Sequence, residues 1–260
     1  MTHITARGLS RAFGKKQVLD GVDFDLGPGI HGLLGRNGVG KSTLLSIVAG
    51  QLRESGGEVG VDKQKPFDNP KTMDRTALTG VDVTYPPSWK LSDVFGAAAL
   101  RYPNWDQAFA TQLLADFGLE PALGEIYGNF SRGQRAMTGI VVGLASRAEL
   151  TLLDEPYVGL DTHNTQVFYR HLLEQADSGR TIVMATHHIE DAARILDSAL
   201  ILGRDGRITA HLTPEDADGY QVVLDGETKR LVPLGEHVPA AARARAAGFD
   251  DLIEHNLEVS

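Results

Sequence analysis

The sequence predicts an α/β fold with a mostly parallel sheet, an antiparallel β region before it and a helical lobe inserted into it. Three observations predict this class. From residue 150 onward, short apolar runs alternate with helical segments, which is typical of parallel strands joined by crossover helices. The segment from about 91 to 148 has helical spacing throughout, and Val22, Phe24 and Leu26 alternate as strand residues do near the N-terminus.

The individual elements follow from local spacing and turn residues. Gly56, Gly57 and Gly60 predict a turn within the β region. Strands are predicted at residues 30–34, 150–153, 181–185 and 199–202. Helices are predicted at residues 94–100, 109–117, 165–175 and 189–196, and after Ser131.

Composition limits the classes of function. The 260 residues are 42% hydrophobic, enough for one globular unit with a core. There is no cysteine, which excludes disulfides and thiolate metal sites, and the net charge of −9 argues against nucleic-acid binding. No apolar run approaches the roughly 18 residues that span a bilayer, and the N-terminus lacks a signal-peptide pattern. Any work at a membrane is therefore expected from outside the lipid.

A phosphate-binding loop is the most specific motif. Residues 35–42, GRNGVGKS, fit G-x-x-x-x-G-K-[ST] without a mismatch, between a predicted strand and a helix. The glycines let successive backbone N–H groups point at phosphate oxygens, and the helix dipole adds positive potential there. Lys41 would neutralise the β- and γ-phosphates, and the Ser42 hydroxyl would ligate Mg²⁺. The chain is predicted to bind a nucleoside triphosphate.

Acidic and histidine side chains follow two later strands. Asp154 and Glu155 end the apolar run that starts at Leu150, where α/β ligand sites form, so Asp154 would hold Mg²⁺ and Glu155 would polarise the attacking water. Alone they would be solvated acids at a strand end. His187 follows the next strand and would reach the γ-phosphate; a structural histidine is the alternative, and the neighbouring His188 leaves the choice open.

A second anion site is predicted where SRGQR precedes an amphipathic helix. Ser131 would cap that helix, and a capped helix start attracts anions.

An aromatic residue near the N-terminus is a candidate for binding the base of the nucleotide. Phe13 lies beside a polar turn and would stack on an adenine ring, or would simply pack against the protein.

Together these stretches resemble the ATP-binding subunits of ABC transporters. GRNGVGKST, FSRGQ, LTLLDEP, GLD at 159–161 and ATH at 185–187 occur in the family's order over about residues 3 to 210. The resemblance implies a P-loop NTPase core, ATP and Mg²⁺, and two subunits packed head to tail around two ATP molecules. It implies Glu155 as catalytic base, His187 as switch histidine and Lys41 as catalytic lysine. It further implies Ser42 and Asp154 at the metal, and nucleotide contacts from Phe13, Gly35, Arg36, Asn37, Gly38, Val39, Gly40, Lys41, Ser42, Thr43, Ser131, Gly133, Gln134 and Asp161.

The sequence departs from the family pattern at two places. Phe130 and Arg132 replace the first Leu and first Gly of Leu-Ser-Gly-Gly-Gln. The family's metal-coordinating glutamine is expected near 81–87, yet no glutamine occurs between Gln64 and Gln107, so no residue is assigned to that role. The stretch YPNWD at 102–106 resembles bacterial exporters of the antibiotic-response type.

The expected organisation is an ATPase domain over 1–212, with a helical subdomain inserted at about 88–148, and an extension of unassigned role over 213–260. The expected partners are a separate membrane permease, which would hold the chain at the inner face of the cell membrane, and a second ATPase subunit, identical or different. Two alternatives remain. The first is a related ATPase that acts on a ribosome or DNA complex, which is disfavoured because only one phosphate loop and no heptad run occur. The second is a regulatory subunit with little hydrolysis.

Overall fold

The computed structural model of the chain describes residues 2–80, 83–175, 178–225, 228–236, 238 and 242–260. Its strands are β1 (Ile4–Phe13), β2 (Lys16–Leu26), β3 (Gly29–Leu34), β4 (Gly56–Val61), β5 (Thr76–Gly80), β6 (Leu150–Asp154), β7 (Thr181–Thr186), β8 (Ser198–Leu202), β9 (Ile208–Leu212), β10 (Tyr220–Asp225), β11 (Thr228–Pro233) and β12 (Arg243–Ala246). Its helices are α1 (Lys41–Val48), α2 (Pro70–Met73), α3 (Leu91–Arg101), α4 (Gln107–Asp116), α5 (Arg132–Ala145), α6 (Thr162–Leu173), α7 (Ile189–Ala192) and α8 (Phe249–Val259).

A six-stranded sheet in the order β5-β6-β7-β3-β8-β9 forms the centre of the fold. The first five strands of this order pair in parallel. Strand β9 pairs with β8 in antiparallel fashion and forms one edge of the sheet. A separate antiparallel sheet, β2-β1-β4, comes from the N-terminal region. Helices α3, α4 and α5 lie in the chain between β5 and β6. The predicted fold class is confirmed.

The central sheet is buried on both faces, as parallel sheets usually are. Along β3, Leu33 packs into one hydrophobic cluster with α1 and the antiparallel sheet, whereas Leu34 packs into another with α5 and α6. On β6, Leu152 belongs to the same cluster as Leu33, and Leu153 belongs to the same cluster as Leu34. The sheet therefore has little freedom to shift, and its carboxyl edge is a rigid platform for side chains.

Two details differ from the sequence-based expectations. The glycine-rich stretch predicted as a turn is strand β4, which pairs in antiparallel fashion with β1. Glycine is required within it at position 57, where φ is +73° and a Cβ would lie 2.1 Å from the Gly8 carbonyl oxygen. The helix predicted over 189–196 ends as the short α7 at Ala192. Periodicity alone did not detect how short α7 is, since Ile195 and Leu196 remain buried after the helix has ended.

Residues from β10 onward form a third sheet, in the order β11-β10-β12, together with α8. Helix α8 buries Phe249, Leu252 and Ile253 in the same hydrophobic cluster as the face of the central sheet that contacts α5. Helix α8 therefore packs onto the rest of the chain through these three residues. Its apolar face is covered by its own chain and is not available for a dimer contact.

Candidate active site

Three predicted motifs meet at one edge of the central sheet. The phosphate loop follows β3, Asp154 and Glu155 end β6, and His187 follows β7. These strands are consecutive neighbours in the order β6-β7-β3, and all run in parallel. Because carboxyl ends of parallel strands share an edge, motifs far apart in the chain are brought together.

The phosphate loop has backbone geometry at its last glycine, Gly40, that other residues do not readily adopt. Gly40 has φ +120°, and a Cβ there would lie 3.0 Å from Cγ1 of Val18. Within the described residues, no side chain caps the start of α1 at Gly40. The N–H groups of the first turn of α1 are thus left to an external acceptor, which is the arrangement that binds phosphate.

A cavity of about 300 Å³ lies over this loop. Lys41 is 6% exposed, and its Nζ donates to the carbonyl of Gly35 at 2.8 Å and to that of Arg36 at 3.3 Å. The loop carbonyls therefore hold the ammonium group beside the cavity. The cavity is lined by Lys16, Val18, Asn37, Gly38, Gly40, Lys41, Ser42, Thr43, Asp154 and Glu155.

Glu155 is held between a lysine and a histidine. Its Oε1 lies 3.4 Å from Nζ of Lys41, and its Oε2 lies 2.8 Å from Nδ1 of His187. The residue adopts φ +48°, which costs an ordinary side chain about 1 kcal/mol, and its N–H donates to the Ala185 carbonyl at 2.9 Å. That hydrogen bond to β7 keeps the carboxylate aimed at the cavity.

The structure separates the two adjacent histidines by their neighbours. His187 contacts Glu155, whereas the His188 ring packs edge-on against Tyr157 at 5.0 Å between ring centroids. Burial raises the pKa of the Tyr157 hydroxyl, so the ring that contacts His188 carries no charge. Of the pair, only His187 is placed to act on Glu155.

The residues expected at Mg²⁺ fit that ion. Ser42 and Asp154 line the same cavity and offer a hydroxyl and a carboxylate oxygen. Mg²⁺ favours such oxygens together with water and substrate phosphates, and seldom takes an all-protein cage. Accordingly, no group of three or more His, Cys, Asp or Glu side chains in the described residues would hold a metal by itself.

The second predicted anion site lies at the start of α5, where a capping box between Ser131 and Gln134 satisfies two backbone N–H groups. Oγ of Ser131 accepts from the Gln134 N–H at 3.2 Å, and the Ser131 N–H donates to Oε1 of Gln134 at 2.9 Å. A Cβ on Gly133 would lie 2.5 Å from the Gly159 carbonyl, which fixes the start of α5 against the loop before α6. Asp161 caps α6 by accepting from the Asn164 N–H at 2.8 Å. The Ser131 cap is confirmed.

The structure does not bring these residues into the cavity of their own chain. Ser131, Gly133, Gln134 and Asp161 are absent from the residues that line the cavity over the phosphate loop. Their predicted contact with a nucleotide therefore has to involve another chain, or it does not occur.

The stretch where a glutamine was expected has two parts. Val81 and Asp82 lie outside the described residues. After them, Tyr85 stacks edge-on against Tyr127 at 5.4 Å between centroids, and burial raises its pKa. Tyr85 thus joins this stretch to the segment that leads into α5.

Sequence reasoning missed two cavity residues on β2, Lys16 and Val18. The period of a strand places Lys16 and Val18 on one face, but it does not indicate that this face meets the phosphate loop. Phe13, the predicted adenine-stacking residue, is 48% exposed and pairs with Lys16 across the β1–β2 hairpin. The Phe13 ring lies 4.5 Å from the Arg11 guanidinium carbon and does not line the cavity itself.

Comparison with protein families decides the class. Residues 19–158, more than half of the chain, match the model of the ABC transporter family. The chain belongs to this family. The match confirms the family predicted from the motifs, with its α/β fold and its use of ATP with Mg²⁺.

Curated relatives of this ABC family member are similar at a modest level. The ribose import ATP-binding protein RbsA of Bacillus licheniformis is 28% identical over 85% of this chain and 47% of its own length. The arabinose import ATP-binding protein AraG 1 of Burkholderia cenocepacia is 28% identical over 93% of this chain and 51% of its own. The chain thus spans about half the length of the curated relatives it matches.

Solved structures agree with the fold. An ATP binding subunit of an ABC transporter superposes with a TM-score of 0.74 at 26% identity, over 82% of this chain and 91% of that one. The cbiO1 protein of Clostridium perfringens, part of the cbiONQ transporter complex, gives a TM-score of 0.64 at 23% identity, over 82% and 89% of the two chains.

Proposed function

We propose that this chain is the ATP-binding and ATP-hydrolysing subunit of a transporter whose membrane permease is a separate chain. The observation that carries the proposal is the position of Glu155 beside the phosphate-loop cavity, between Lys41 and His187. A carboxylate held this way has the position and the neighbours of a general base for phosphoryl transfer to water.

Each group has a defined task in this reaction. Glu155 orients a water molecule and takes its proton as the water oxygen bonds to the γ-phosphorus. The bond from the γ-phosphorus to the bridging oxygen breaks, and ADP and phosphate result. Lys41 balances charge on the phosphate oxygens, and His187 fixes the carboxylate of Glu155. Ser42 and Asp154 would hold Mg²⁺, which would supply positive charge to offset the charge of the phosphates.

The active form is a pair of ATPase subunits, identical or different, with ATP sandwiched between them. The placement of Ser131 and Gly133 outside their own cavity supports this arrangement. A two-fold pairing supplies each start of α5 with the nucleotide on the opposite chain. ATP favours the closed pair because only there does it contact both surfaces, and hydrolysis removes that preference.

The membrane partner is proposed from the relatives and the family. Both relatives are named as import ATP-binding proteins, and the helices of the described residues include none long and apolar enough to cross a bilayer. The chain is expected at the inner face of the cell membrane through its permease. Nucleotide-dependent co-purification with the permease tests the partner, and transport assays in vesicles of both orientations then show whether the cargo is imported or exported.

Glu155→Gln tests the chemistry directly. The amide keeps the shape but cannot take the proton, so steady-state ATP hydrolysis should fall at least about 100-fold. ATP binding should persist and a stable dimer should accumulate, detectable by light scattering. Glu58→Gln on the exposed surface of β4 is the matched control and should hydrolyse like the parent. Turnover near the parental rate in Glu155→Gln would remove Glu155 from its role.

A further inference from the structure

Lys16 approaches the phosphate cavity from a different element than the phosphate loop. It is the first residue of β2 and lines the cavity together with Val18, two residues further on. Val18 packs against Gly40, since a Cβ on Gly40 would lie 3.0 Å from Cγ1 of Val18. The contact fixes β2 beside the loop, and the strand period directs Lys16 to the same side as Val18. Lys15, one residue earlier in the hairpin turn, is not among the lining residues.

The two lysines that line the cavity have different neighbours. Nζ of Lys41 lies 3.4 Å from the Glu155 carboxylate and donates to two loop carbonyls. Lys16 is exposed and has no carboxylate within 4.0 Å in the described part of the chain, so no acidic side chain described there neutralises its ammonium group. The cavity also holds the acids Asp154 and Glu155, in a chain of net charge −9. A polyphosphate entering this cavity therefore gains from a second cation.

We propose that Lys16 is a further nucleotide-binding residue that pairs with the α-phosphate, which ATP and ADP share. The inference rests on the proposed function, because it presupposes a nucleotide in this cavity. Lys41, Asp154 and Glu155 already surround the place where the γ-phosphate reacts. Lys16 enters with the β1–β2 hairpin, whose other arm carries Phe13, the predicted partner of the adenine ring. A base stacked on Phe13 would therefore bring the α-phosphate, the phosphate nearest to the base, closest to Lys16.

A contact with the α-phosphate has a specific kinetic consequence. The α-phosphate does not react, so Lys16 stabilises bound substrate and transition state equally. Removing it should raise KM and leave kcat unchanged, which a defect in the catalytic groups would not do. Because Lys16 is exposed, the effect is modest and screened by salt.

The test compares Lys16→Gln with Lys15→Gln, two variants that each remove one charge from the same hairpin. Binding of fluorescent ADP and ATP analogues is titrated at low and high salt, and adenosine competes as the phosphate-free ligand. Lys16→Gln should weaken both nucleotides about fivefold at low salt, with the difference shrinking at high salt. Adenosine should bind unchanged. Lys15→Gln should bind like the parent, and Lys16→Arg should restore affinity.

The outcomes separate this inference from the proposed function. Parental affinity in Lys16→Gln overturns the role of Lys16 while leaving ATP binding intact. Equal weakening in both variants shows a bulk charge effect and also overturns it. Loss for ATP but not for ADP places the contact at the γ-phosphate and overturns the α-phosphate assignment. A parent chain that binds neither nucleotide defeats the proposed function itself, and the role of Lys16 with it.

Discussion

Helices α1 and α5 both begin beside a glycine-containing polar loop, yet their N-termini are satisfied in opposite ways. Gly40 precedes α1 and offers no side-chain cap within the described structure, so the first N–H groups have no partner from a side chain. Ser131 and Gln134 at α5 satisfy each other through two reciprocal hydrogen bonds. The first helix start is built to receive a ligand, and the second is stable without one.

This difference explains how the two sites would share one nucleotide. The open end of α1, with Lys41 beside it, binds phosphate strongly because its donors gain partners on binding. The start of α5 has already used part of its donor capacity, so it adds little affinity on its own. A nucleotide would therefore load on α1 first, and α5 of the other chain would act afterwards. The comparison predicts different variant effects at the two helix starts.

The largest effect is expected from Gly40→Ala at α1. The methyl group would meet Val18 at 3.0 Å, and φ of +120° is strained for alanine. ADP affinity should fall about 100-fold by titration, because the loop loses its shape. Gly38→Ala is the matched control, since its φ is +80° but its Cβ would meet no atom within 4 Å. Equal affinities in the two variants would contradict the importance of the Gly40–Val18 contact.

Gly133→Ala should act on turnover and spare binding. The new Cβ would lie 2.5 Å from the Gly159 carbonyl, so the start of α5 must move away from the loop before α6. Steady-state hydrolysis should fall about tenfold while ADP affinity stays parental, because α1 is untouched. Gly139→Ala in the same helix meets Thr79 at an ordinary 3.6 Å and should retain activity. A parallel loss of ADP affinity in Gly133→Ala would erase the distinction between the two helix starts.

The sequence predicted the α1 site almost completely, for a physical reason. The required glycine spacing, the strand before it and the helix after it are all local, so GRNGVGKS carries its own geometry. The positions of Asp154 and His187 followed from the parallel order of strands, which places their ends at one edge. Each of these predictions needed only local patterns, namely a short motif or a strand with the polar residue that follows it, together with the general rule for parallel sheets.

What the sequence did not reveal depends on contacts between distant segments. Lys16 reaches the cavity because Val18 packs on Gly40, a contact between β2 and the phosphate loop that no local pattern encodes. The choice of His187 over His188 depends on Glu155 lying across the gap between β6 and β7. The shortness of α7 was hidden because the residues after it stay buried and apolar.

Ser131→Ala measures the stability of the α5 cap. Loss of the acceptor for the Gln134 N–H should lower the free energy of unfolding by about 1 kcal/mol, or about 2–4 °C in Tm. Ser131→Asp keeps an acceptor and should keep the parental Tm, yet its charge would face the γ-phosphate of the other chain and reduce turnover. Full activity in Ser131→Asp would argue against any phosphate at the start of α5.

The opposite end of α5 offers the smallest effect, and it depends on pH. Arg147 follows this helix and donates to Oδ2 of Asp106, the cap of α4, at 2.9 Å and 3.1 Å. The Phe109 N–H, and then the Arg147 guanidinium, hold the pKa of Asp106 below its ordinary value. The stability from this ionised carboxylate is therefore present above the unfolded-state pKa and is lost as pH falls through the lower folded-state pKa.

Asp106→Asn keeps a capping oxygen and removes the charge, so it should lower the free energy of unfolding by less than about 1 kcal/mol at pH 7, since the pair is partly exposed. By urea denaturation, the difference from the parent should shrink toward zero as the pH falls below about 4. The defect of Ser131→Ala involves no titrating group and should stay constant over the same range. A deficit in Asp106→Asn that does not change with pH would mean that the C-terminal end of α5 is held by neutral hydrogen bonds, as its N-terminal end is.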